Sequence, residues 1–166
     1  LGVLGMGRIG TAVARKASYG FGMKVLGYRR NLPGDICADY GILTSDLDKV
    51  IRNSDFLSIH LPYTKDTFHL VSREKLELMK PDAYLLNLGR GEVVDQAALR
   101  ELLLSNRLAG AALDVFEGEI PDADDPLLHM DQVIATPHIA GLSKQAMERL
   151  SYQAALGITE VLEGRK

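Results

Sequence analysis

The sequence contains no tryptophan, a single cysteine, and only 6% aromatic residues in 166 positions. A lone Cys37 excludes an internal disulfide framework and offers no zinc spacing, and without a paired histidine in sequence it is read as a buried or spectator thiol rather than a nucleophile. Long apolar runs are missing too: stretches such as Leu108–Leu113 fall far short of the ~20 residues that span a bilayer. Nor is there an excess of positive charge. Lys and Arg total 19 against 22 Asp and Glu, giving a net charge of −3, and Lys24, Lys65 and Lys80 are scattered. A sequence-independent nucleic-acid binder needs a basic face, so neither nucleic acid nor a membrane is expected as a partner. His60, His69 and His129 share no ligand spacing, and Asp122, Asp124 and Asp125 lack the glycine and distal Glu of a calcium loop; no metal site is expected.

What is present is the composition of one globular domain, 46% hydrophobic and 25% charged. The chain opens at Leu1–Leu4, already inside an apolar run and without an initiator Met, which reads as a piece of a longer protein. A reducing, cytoplasmic location is the expectation.

Short β-rich runs alternate with helical stretches. Strands are expected at Leu1–Leu4, Val25–Tyr28, Phe56–His60, Tyr84–Asn87, Ala109–Leu113 and Val133–Ala135. Helices are expected at Thr11–Ser18, Ser72–Met79 and Gln96–Ser105, the last with Asp95 as N-cap. A capping box, Ser45-Asp46-Leu47-Asp48, opens a short helix through Arg52. Turns fall at Asn31-Leu32-Pro33-Gly34 and Pro81-Asp82. A final helix begins near Ser143 and carries Ala146, Leu150, Ala154, Ile158 and Leu162 along one face. Continuous apolar strands alternating with helices predict a doubly wound, Rossmann-like α/β fold with a parallel sheet covered on both faces.

Gly5-Met6-Gly7-Arg8-Ile9-Gly10 is a GxGxxG pattern between the first strand and the first helix. Gly5 suits a tight turn, Gly7 lets backbone approach a pyrophosphate, and Gly10 lets helix and strand pack closely. Amides at the helix N-terminus, including those of Arg8 and Ile9, then favour the anion. An acidic residue about 20 positions beyond such glycines commonly binds the ribose hydroxyls of NAD. Here the second strand ends Tyr28-Arg29-Arg30. A guanidinium attracts a 2′-phosphate, which predicts NADP(H) in preference to NAD(H), with Tyr28 beside the adenine ribose.

Three further motifs follow in order: Asn87-Leu88-Gly89-Arg90-Gly91 with Val94-Asp95, then Ala112-Leu113-Asp114-Val115-Phe116-Glu117-Gly118-Glu119, then Thr136-Pro137-His138-Ile139-Ala140-Gly141. With the glycine turn they resemble the D-isomer-specific 2-hydroxyacid dehydrogenases over essentially the whole chain. The resemblance implies the cofactor domain, residues 1–166, of an oxidoreductase that moves a hydride between a nicotinamide and a small 2-hydroxy or 2-oxo acid. The family's flavodoxin-like substrate domain is expected to lie outside these residues, and for the complete parent the resemblance implies a homodimer. The catalytic set so implied is Arg90 on the substrate carboxylate, His138 as acid and base, and Glu119 assisting His138. Glu119 keeps the family's offset from Asp114 and is preferred to Glu117, although Ile120 stands where the family usually has Pro. Cofactor contacts are implied for Leu61, Pro62, Thr67, Leu88, Gly89, Arg90, His138, Ala140 and Gly141, and for Asp114 on the nicotinamide carboxamide. Without a second domain to close the cleft, binding with little turnover is expected of this chain. The other reading is a non-catalytic dinucleotide-sensing module, as in the family's corepressor relatives.

Overall fold

Residues 1–30 and 43–165 are described by a computed structural model; the Asn31–Gly34 turn and Cys37 lie outside them. Among the described residues, seven parallel strands form one sheet in the order β3-β2-β1-β4-β5-β6-β7. They are β1 (Gly2–Leu4), β2 (Leu26–Tyr28), β3 (Leu43–Thr44), β4 (Phe56–Ile59), β5 (Tyr84–Asn87), β6 (Gly110–Leu113) and β7 (Val133–Ala135). The order reverses between β1 and β4, the place where open α/β sheets open a crevice at their carboxyl ends.

Helix α1 (Arg8–Phe21) begins three residues earlier and ends three later than the apolar pattern suggested. It stops at Gly22, whose φ of +63° provides a left-handed cap. The short α2 (Leu47–Arg52) is capped by Asp46, which accepts from the Lys49 amide at 2.9 Å, rather than by Ser45. Helix α3 (Arg73–Leu76) is a single turn, shorter than the expected Ser72–Met79. The expected cap Asp95 is in place at α4 (Gln96–Leu104), accepting from the Ala98 amide at 2.9 Å. Ser143 caps α5 (Lys144–Leu162).

Pairing puts Leu57, Leu85 and Ala111 on one row, and the neighbouring row holds Leu4, Ile59 and Leu113. All six join the larger core cluster, beneath α2, α3 and α4. The opposite row carries Val3, Ser58, Leu86, Ala112 and Ile134. There α1 covers Val3 and Val25 through Ala14 and Ala17. No helix covers β4 to β7 on that side among the described residues, so the expectation of two covered faces holds only over β1 and β2. Phe56 and Tyr84 stack there with centroids 5.4 Å apart, and Ile134 is 68% exposed. The apolar stripe of α5 forms as the sequence predicts, but none of the helix's residues is buried.

Candidate active site

The glycine turn shows why its residues are small. Gly5 has φ +97°, and a Cβ there would lie 2.7 Å from the His60 carbonyl oxygen. A Cβ on Gly10 would lie 2.1 Å from the Gly5 carbonyl, so helix and strand touch only because it is absent. Gly7 differs: a Cβ there would meet nothing within 4 Å, leaving open space over the first turn of α1. That helix has no capping side chain and no acidic residue in its first turn, so its leading amides and positive dipole end are free for an anion. Arg8 and Ile9 occupy this turn, both exposed.

A cleft of about 390 Å³ opens beside the turn. It gathers the predicted Gly5, Gly7, Tyr28, Arg29, Arg30, Leu61, Pro62 and Thr67, together with Met6, His60, Thr64 and Leu70. Arg30 is engaged by Asp66 at 2.9 Å, whereas no ion pair occupies Arg29 among the described residues. Thr67 is buried, and its hydroxyl turns into its own loop, donating to the Pro62 carbonyl at 2.7 Å and accepting from the Thr64 amide at 2.8 Å. His60 follows β4, with Nε2 2.9 Å from the Ser58 hydroxyl and a buried Nδ1 that has no partner among the described residues. Burial pushes its pKa down from 6.5. Glycines, amides and the Arg29 guanidinium fit a dinucleotide lying along the cleft.

The loops after β5, β6 and β7 leave the same sheet edge and bring Arg90, Glu119 and His138 to one pocket of about 190 Å³, floored by Gly91, Val115 and Phe116. Asn87, buried, holds the Arg90 turn: its Nδ2 donates to the Arg90 carbonyl at 3.0 Å and its Oδ1 accepts from the Gly89 amide at 3.1 Å. Gly91 is required because a Cβ there would sit 2.0 Å from the Phe116 backbone. Glu119 and His138 both adopt left-handed backbone, at φ +67° and +55°. No hydrogen bond joins their side chains among the described residues, and Arg90, Glu119 and His138 are all exposed.

Asp114 is 4% exposed and has a role beyond the expected carboxamide contact. Its carboxylate accepts from the Thr136 hydroxyl at 2.6 Å and from the Ile139 and Ala140 amides at 2.8 and 2.9 Å, bracketing His138. Burial pushes its pKa up, but these three bonds and the nearby His138 charge outweigh burial and leave it lowered from 3.8. Ala140 thus reaches the site through its amide, while Gly141 and Leu88 line none of these cavities. A larger cavity of about 490 Å³ adjoins on the far side of His138, where Ile120, Pro121, Leu128 and Pro137 add an apolar lining. The set missed by sequence reading is Tyr63, His69, Gln96 and Arg100. Tyr63 lines the small pocket, and the other three fasten the loop that carries Glu119. Nothing local in the sequence marks them, because their partners are distant.

Strand order, glycine turn and cleft together define a dinucleotide-binding α/β domain. The family model for the D-isomer specific 2-hydroxyacid dehydrogenase NAD binding domain matches residues 1–140, and the chain belongs to that family. It is 44% identical over 155 residues to a glyoxylate reductase of Korarchaeum cryptofilum, covering 93% of this chain and 46% of that protein. Among solved structures, it matches the NAD complex of a D-isomer specific 2-hydroxyacid dehydrogenase from Lactobacillus delbrueckii ssp. bulgaricus with TM-score 0.90 and 30% identity, over 98% of this chain and 53% of that one. A second match is a D-isomer specific 2-hydroxyacid dehydrogenase from Xanthobacter autotrophicus, in complex with NADPH and MES. Its TM-score is 0.79 and its identity 35%, over 86% of this chain and 45% of that one. The chain spans about half the length of the curated relatives it matches. No helix among the described residues is long and apolar enough to cross a membrane.

Proposed function

We propose that residues 1–166 are the cofactor domain of an NADP(H)-preferring oxidoreductase acting on small D-2-hydroxy and 2-oxo acids, working in the cytoplasm as a homodimer in its complete form. The observation that carries this reading is the convergence of Arg90, Glu119 and His138, from three loops, on one pocket at the carboxyl edge of the sheet. Bound in the cleft, the reduced nicotinamide supplies the hydride.

The chain's own groups supply position and charge. Arg90 offers a permanent forked cation that binds the substrate carboxylate and polarises the 2-oxo group. His138 gives a proton to the oxygen as it becomes a hydroxyl, and takes it back in the oxidative direction. Glu119 steadies the imidazolium, favouring the charged form. Asp114 fixes the turn that presents His138 through the Thr136 hydroxyl before it and the Ile139 and Ala140 amides after it. The exposure of all three acting side chains supports binding with little turnover by this chain alone, since hydride transfer needs a dry, closed cleft.

Preference for the phosphorylated cofactor rests on Arg29, which lines the cleft with no ion pair among the described residues, while Arg30 is paired to Asp66. Calorimetric titration with NADPH and NADH tests both parts. Heat from both, with NADPH binding about tenfold or more tightly, is the expected result. Arg29→Asp removes that margin; an unaltered ratio refutes the preference, and no heat from either nucleotide refutes the function.

A further inference from the structure

His69 stands where three loops meet. Its backbone, at φ +46°, donates its N–H to the Glu92 carbonyl at 2.8 Å in the loop after β5. Its ring Nε2 lies 3.0 Å from Glu117 Oε1 in the loop after β6, both side chains about two-thirds buried. Phe68 stacks on the imidazole with centroids 4.0 Å apart and planes 13° from parallel, which limits how the ring can turn. His69 itself belongs to the loop after β4, whose Leu61, Pro62, Thr64 and Thr67 wall the dinucleotide cleft.

Glu117 is two residues from Glu119, with Gly118 at φ +82° between them. The side chains of Glu119 and Ile120 are exposed, so apolar packing does not set the course of this stretch. Polar fastenings do. On one flank Asp125 is held by Arg100 at 3.0 Å and Gln96 at 3.2 Å, both from α4. On the other, the Glu117 amide donates to Gln96 Oε1 and the Glu117 carboxylate is held by His69. Among the described residues, only the His69 fastening comes from a loop that walls the cofactor cleft.

We propose that His69 and Glu117 are a positioning pair that sets the place of Glu119 and ties it to occupancy of the dinucleotide cleft. The pair rests on the role given to Glu119 above. It holds the carboxylate's loop at one end against a residue whose own loop the cofactor touches, so ordering of one loop restrains the other.

Nuclear magnetic resonance on the 166-residue chain tests the pair with His69→Asn, Glu117→Ala, Glu117→Gln and Glu119→Gln. Asparagine tolerates left-handed backbone and so keeps the turn while removing the ring. The amides of Glu119 and Ile120 are bonded to Phe116 and Gly118, so their hydrogen exchange reports the loop. Exchange at both is expected to speed up about tenfold in His69→Asn and Glu117→Ala, with Glu117→Gln restoring protection because it keeps an acceptor. Unchanged exchange overturns the proposal. Saturation with NADPH is expected to shift these two amides in the wild type but not in His69→Asn, while Arg8 and Ile9 shift in both. Equal responses in the two chains overturn the coupling. The His138 ring signals are expected to move alike in Glu119→Gln and His69→Asn; movement in Glu119→Gln alone overturns the positioning role. No movement in Glu119→Gln, or no shift at Arg8 and Ile9, overturns the functional reading instead and leaves the exchange result to decide the pair.

Discussion

Glu119 and His138 reach one pocket from different loops, and both do so on backbone that L residues with a Cβ seldom adopt, at φ +67° and +55°. Non-glycine residues held there each cost roughly 1–3 kcal/mol, a strain that neighbouring structure must sustain. Glu119→Gly and His138→Gly are therefore expected to leave denaturant midpoints unchanged or raise stability by up to about 1 kcal/mol. In a complete enzyme the same substitutions are expected to abolish most turnover. A loss of stability in both glycine variants would remove the strain argument.

The roles of the second and third glycines of the turn can be separated. Gly7→Ala places its methyl in open space, so stability is expected to stay within about 1 kcal/mol while nucleotide affinity falls. Gly10→Ala drives its methyl to 2.1 Å from a backbone oxygen and is expected to cost about 2–3 kcal/mol. Thermal melts paired with nucleotide titrations distinguish the two patterns.

Asp114 links the end of β6 to the turn bearing His138. Asp114→Ala strands one hydroxyl and two amides and is expected to cost about 3 kcal/mol. Its folded pKa lies below the unfolded 3.8, so its contribution is fully present above 3.8 and is lost as pH falls through the folded value. Urea midpoints for wild type and Asp114→Ala are therefore expected to lie furthest apart near neutrality and to converge in strong acid.

His60 gives a dependence in a different range. Burial lowers its folded pKa below the unfolded 6.5, so the unfolded chain binds the proton more readily. Stability is greatest above 6.5 and declines as pH falls from there to the folded value. His60→Gln is expected to flatten that decline, read as the slope of urea midpoint against pH; an identical slope would exonerate the imidazole.

Much of this was legible from local pattern. The glycine turn, the Asp95 cap, the start of α5 near Ser143 and six of the strands follow from residues within a few positions of one another. The exchange of Ser45 for Asp46 as cap is a one-residue matter, since both types accept an amide equally well. The preference for Glu119 over Glu117 came from family spacing; the structure adds a reason, because Glu117 is occupied by His69. That pairing joins residues 48 positions apart, and the Asp114 clamp spans 22 to 26, distances at which periodicity and propensity are silent. Burial of the α5 stripe was illegible for a related reason: amphipathic spacing records that a face is apolar, not that anything lies against it.

Helix α5 is 19 residues long, yet it buries none of its side chains. Its persistence in this chain thus depends on backbone bonds, the Ser143 cap and nearest-neighbour propensity, as for an isolated peptide in water. On heating, its ellipticity should fade gradually from low temperature, superimposed on one sharp sigmoid from the sheet and its remaining helices.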